Sequence, residues 1–103
     1  MGNPSIYYKR ALQDFAYCLA CEEDNYKLAK ELYTEDSVEK LESYILEKKN
    51  ELDENLFFYN AGLASQRIFD DAYEEGCDAS NACGGGIIVF EYFIGLAEGE
   101  DLD

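Results

Sequence analysis

Residues 69–78 read FDDAYEEGCD, and five of these ten are acids: Asp70, Asp71, Glu74, Glu75 and Asp78. The apolar spacing predicts a helix that Gly76 ends. Side chains four apart share a helix face, so Asp70 stacks on Glu74 and Asp71 on Glu75. Asp78 extends the first row past the helix end. Each such like-charge pair costs about 0.2–0.5 kcal/mol. The negative pole of the helix adds about 0.3–1 kcal/mol for each charge near it. Arg67 is the only base after Lys49, so no neighbour in sequence offsets the cost. Broken local rules tend to mark functional surface. Carboxylates so placed could hold a metal, move a proton, or meet a cation on another molecule.

The first two uses find little support. A calcium loop of the EF-hand type needs alternating acids, a Gly at the turn and a terminal Glu, and DDAYEEGCDASN departs from that order. The chain has no His, which removes Ser–His and Cys–His nucleophiles and the commonest general base. Paired carboxylates could act as in glycosidases, but those need a deep cleft that a small helical domain rarely encloses. The chain reads as a non-enzyme. Cys18, Cys21, Cys77 and Cys83 would suffice in number for a structural zinc. The second pair is loosely spaced, and free Cys commonly serves as a small hydrophobe. Gly84-Gly85-Gly86 lacks the Lys of a phosphate-binding loop and reads as a hinge or a tight packing entry. Neither a metal nor another cofactor is expected.

The third use agrees with the charge. The chain has 103 residues and a net charge of −15. Residues 1–49 hold ten acids and seven bases, net −3, whereas residues 50–103 hold thirteen acids and Arg67, net −12. Such a field repels nucleic acid and anionic membranes and draws in basic proteins, many of which bind nucleic acid. Carboxylates about 6 Å apart along a helix form a negative stripe comparable to a phosphate backbone. In size and charge the chain resembles small acidic inhibitors of phages and mobile elements, of the anti-CRISPR and antirestriction kind, and acidic immunity proteins that block nuclease toxins. That resemblance involves no alignable segment. It implies a DNA or RNA mimic in the groove of a basic nuclease or effector. The residues expected at that contact are Asp70, Asp71, Glu74, Glu75 and Asp78, with Glu51, Asp53, Glu54 and Tyr73. Tyr beside acids can grip Arg and Lys by cation–π contact, and Tyr26, Tyr44, Tyr59 and Tyr92 also lie near acids or at the edge of an apolar face.

The elements that must position these groups read as all-α: one domain over 1–103, a compact bundle of four or five helices. Pro4 and Ser5 open a first helix whose apolar face holds Ile6, Ala11, Leu12, Phe15, Cys18 and Leu19, to about Cys21. Glu22–Asn25 is a charged break or the cap of a short helix carrying Tyr26, Leu28, Ala29, Leu32 and Tyr33. Asp36-Ser37-Val38-Glu39 reads as a capping box before a helix with Val38, Leu41, Ile45, the stem of Lys48, and Leu52. Asp53 caps the next helix, which carries Leu56, Phe57, Tyr59, Leu63, Ile68, Phe69 and Tyr73 to Gly76. Residues 77–86 read as a loop. The run 86–97 fits a buried helix or a strand, and a missing partner strand favours helix. The tail 99–103 is expected to fray.

A second function class fits the same sequence: a helical adaptor or assembly subunit that binds through an apolar face, 87–97 or 38–52, with acids serving solubility. A homodimer is compatible with either class. The N-terminus lacks the apolar run of a signal peptide, and 87–97 is too short to span a bilayer and contains Glu91. The expected setting is cytoplasmic, in a host cell if the chain is virus-encoded, with reduced thiols.

Overall fold

The computed structural model describes residues 5–76 and 78–98. The described residues form α1 (Ser5–Glu22), α2 (Tyr26–Tyr33), α3 (Val38–Glu51), α4 (Glu54–Glu74) and α5 (Ala79–Glu98), with no strand. The all-α bundle follows, and the ambiguous run 86–97 is helical. The tail 99–103 lies outside the described residues.

Local signals set the breaks. The Asn25 side chain accepts from the Leu28 N–H at 3.2 Å, so Glu22–Asn25 is both the break and the cap of α2. Ser37 caps α3 by accepting from the Lys40 N–H at 3.3 Å. The expected capping box is different in detail: Glu35, not Glu39, accepts from the Ser37 N–H, at 3.1 Å. Asp53 caps α4 through the Asn55 N–H at 2.8 Å. Gly76 closes α4 at φ 105°, a left-handed conformation that glycine adopts without steric cost.

The expected loop 77–86 is corrected, because α5 begins at Ala79. Asp78 is its cap: the Asn81 N–H donates to the Asp78 carboxylate at 2.8 Å, and the Ala82 N–H to its carbonyl at 3.0 Å. Three glycines weaken a helix by about 0.8–1 kcal/mol each, so local preference opposes this. Packing overrides it, since Ala82, Val89, Phe93, Gly95 and Ala97 are buried. Gly86 is a point of close approach rather than a hinge. A Cβ there would lie 3.3 Å from the Ser65 carbonyl oxygen and 3.5 Å from the Phe69 Cβ.

The core gathers around α1, which packs against α2, α3 and α4, while α4 and α5 form a hairpin. Ala11, Leu12, Phe15, Ala16 and Leu19 are fully buried. Phe15 sits between Phe57 and Phe93, ring centroids 5.1 and 4.3 Å away. Burying one such side chain contributes about 1.5–3 kcal/mol. The inner face of α4 is Phe57, Ala61, Ala64 and Ile68. Of the apolar residues expected in this helix, Phe57 and Ile68 are buried, whereas Leu56, Tyr59, Leu63 and Tyr73 are exposed. The 3-4 spacing of Leu56, Tyr59 and Leu63 marks the outer side of the helix.

Candidate functional site

At about 100° per residue, the C-terminal turns of α4 divide their acids between two directions. Asp71 and Glu75 turn toward α1, where an Arg10 Nη1 lies 3.9 Å from one carboxylate and 3.3 Å from the other. No neighbour in sequence offsets these acids, and the fold supplies a compensating charge from α1 instead. Exposed pairs of this kind contribute about 0–1 kcal/mol. Arg10, Gln13, Tyr33, Asp71, Glu74 and Glu75 line a depression of about 580 Å³.

Asp70 and Glu74 form the outward row, and both are exposed. Asp70 accepts a hydrogen bond from the Gln66 side chain at 3.1 Å. Among the described residues, neither acid has a Lys or Arg partner. Tyr73 is exposed beside them and stacks on Phe69 at 6.2 Å. Asp78, expected to prolong the row, has its carboxylate engaged as the α5 cap.

The other candidate acids are not brought here. Asp53 and Glu54 stand at the start of α4, about 30 Å along its 21 residues from Glu74. Glu51 is held by Lys48 at 2.8 Å, and Lys48 also binds Glu23 at 2.8 Å. These carboxylates, Glu23 foremost, raise the Lys48 pKa. The Lys48 stem is mostly buried and its ammonium lies 5.5 Å from the Tyr44 ring centroid, so it fills the apolar position predicted for it. Tyr44 and Tyr92 are half-buried, and Tyr92 donates to Glu42 at 2.7 Å, whereas Tyr26 and Tyr59 are exposed.

Beneath the ladder lies a group that the sequence reading passed over. Asp14 is 2% exposed, and its Oδ1 has no hydrogen-bond partner among the described residues. Arg67 Nε stands 3.6 Å from that oxygen. Burial pushes the Asp14 carboxyl up to about 6; Arg67 opposes the rise, Asp71 adds to it and Arg10 opposes it. Arg67, the single base of the acidic half, thus sets its Nε against buried Asp14 while its side chain stays nearly half exposed. The signal was available, since Asp14 falls inside the apolar arc of Ala11, Phe15 and Cys18.

The described thiols are spread over two helices, Cys18 and Cys21 on α1 and Cys83 on α5. Cys18 is buried, and burial raises its pKa; Cys21 is half-buried, Cys83 is exposed, and Cys77 lies outside the described residues. Among the described residues, no three His, Cys, Asp or Glu side chains are grouped to hold a metal.

A groove of about 610 Å³ runs between α4 and α5. Its α4 wall is Gly62, Ser65, Gln66 and Phe69, and its α5 wall is Cys83, Gly86, Ile87 and Phe90, with Glu91 at the edge. Both walls repeat at i, i+3, i+4 and i+7, one ridge of a helix. Phe69 also lines the adjoining depression of Asp70, Tyr73 and Glu74. The apolar groove and the outward acids are thus one continuous surface. The helix α5 extends beyond the apolar run 87–97 to 20 residues and, by length and composition alone, is long and apolar enough to cross a bilayer. Comparison with protein-family models, curated proteins and solved structures finds no match to this chain.

Proposed function

We propose that this chain is a small acidic binding protein that occupies a basic, nucleic-acid-binding surface of another protein and competes with DNA or RNA for it. The observation that carries this reading is the outward row of Asp70 and Glu74, which has no cation partner among the described residues. It stands in a half of the chain with net charge −12, thirteen acids against Arg67. A basic groove built for phosphates is steered toward such a surface, and the association weakens with salt. Inhibitors of the anti-CRISPR, antirestriction and nuclease-immunity kinds work on partners of this chemistry.

The test is capture of partners from nuclease-treated lysate at low salt, followed by challenge with duplex DNA or with RNA. The expected partners bind nucleic acid, are displaced by it, and wash off at high salt. The double variant Asp70→Lys, Glu74→Lys is expected to bind them at least about tenfold more weakly, a loss of about 1.4 kcal/mol. Capture that survives both high salt and the double variant would overturn the reading. The adaptor alternative would then stand, and exposed Ile87 and Ile88 favour it.

A further inference from the structure

We infer that the α4–α5 groove seats a single amphipathic helix of the partner, one whose apolar stripe is flanked by Lys or Arg. This deepens, and rests on, the reading that a cationic partner docks on α4. The groove follows the helix axes, because both of its walls are i, i+3, i+4, i+7 ridges. That is the shape into which an amphipathic helix lays its apolar face. Its α4 wall is low at Gly62, where an added Cβ would meet nothing within 4 Å. Phe69 and Phe90 are half-buried and Ile87 is 54% exposed, so apolar surface is on offer.

Charge selects the occupant. Glu91 borders the groove, and Asp70 and Glu74 continue from it past Phe69. A helix seated there brings its flanking positions against carboxylates, and cations at those positions satisfy them. A second copy of the chain would bring another −15 against the same acids. An anionic bilayer meets the same repulsion.

The probes are three labelled synthetic peptides: an amphipathic Leu/Lys helix, its Leu/Glu counterpart, and a Lys/Gln peptide with the charge of the first. Binding is read by fluorescence anisotropy on the full chain. Gly62→Leu fills the groove from an open position and replaces a poor helix former with a good one. Its melting temperature is expected to match or exceed the native value, so lost binding cannot be assigned to unfolding. The expected result is that the Leu/Lys helix binds at least about tenfold more tightly than either other peptide, and that Gly62→Leu removes at least about tenfold of that affinity. If Gly62→Leu binds like the native chain, or Lys/Gln binds as well as Leu/Lys, the groove inference fails. The cationic-partner reading survives that result provided Asp70→Lys, Glu74→Lys still weakens binding. If Leu/Glu binds as well as Leu/Lys, the cationic reading fails instead. Sedimentation showing a native dimer that Gly62→Leu dissolves would make a second copy the occupant. Binding to neutral lipid vesicles that Gly62→Leu abolishes would assign the groove to a membrane. Either outcome overturns the inference.

Discussion

Asp14 shows how one side chain can set a pH dependence for the whole bundle. Its folded-state pKa, about 6, lies above the ordinary 3.8. The folded chain therefore binds more protons than the unfolded one between these values, and stability from this group falls as pH rises from about 4 to 6. The full penalty, about 3 kcal/mol at most, persists above that window. Asp14→Asn is expected to raise stability at neutral pH by about 1–3 kcal/mol and to flatten the pH dependence relative to the native chain. Urea unfolding at pH 4, 5, 6 and 7 measures both. A variant that is less stable at pH 7 would show that the pairing with Arg67 outweighs the cost of burial. Caps were legible at this scale, because Asn25, Ser37 and Asp53 act on the next few residues. The meeting of Arg10 with Asp71 and Glu75 was not, because it depends on how α1 lies against α4.

The glycine run tests why α5 is a helix at all. Gly84 and Gly85 have open space where a Cβ would go. Ala at either is expected to stabilise by about 0.5–1 kcal/mol. Ala at Gly86 meets the Ser65 carbonyl and the Phe69 Cβ, and is expected to cost about 1–3 kcal/mol through displaced packing. Midpoints of urea unfolding for the three single variants decide the matter; equal gains at all three would mean that the two helices do not cross closely there. The sequence reading placed the breaks that end α1, α2, α3 and α4. The first turns of α5 were not legible, since Ser80, Asn81 and three glycines carry loop preferences that the Asp78 cap and the burial of Ala82 overcome. On α4 the large apolar residues occupy both sides of the helix, so their spacing does not by itself separate Phe57 and Ile68, which are buried, from Leu56 and Leu63, which are exposed. Alanines at 61 and 64 carry a weak apolar signal, yet they are what lets α4 lie close to its neighbours.

For the whole molecule the governing quantity is the net charge of −15 on a body of 36 × 29 × 26 Å. At 0.01 M salt the screening length is about 30 Å, so every carboxylate feels the others; at 0.1 M it is about 10 Å. Raising the salt over this range is expected to stabilise the fold by about 1 kcal/mol, a rise in melting temperature of about 4–8 °C. Calorimetry in a series of sodium chloride concentrations measures it. A melting temperature that falls would mean that the ion pairs of Arg10, of Lys48 and of Lys9 with Asp36 outweigh the general repulsion. The same salt that steadies the fold should loosen a cationic partner, so stability and binding move in opposite directions.

The connections between helices are short: three residues after α1, four after α2, two after α3 and four after α4. Two of the main interfaces, α1 with α2 and α4 with α5, join helices adjacent in sequence, so little loop-closure entropy stands in the way of forming those two pairs. The consequence is kinetic. Helical chains with such local contacts fold in microseconds to milliseconds, whereas sheet proteins dominated by distant pairings take milliseconds to seconds. A newly made chain would bury Val89 and Phe93 of α5 early, leave Ile87 and Ile88 exposed, and be ready to bind almost as soon as it was synthesised.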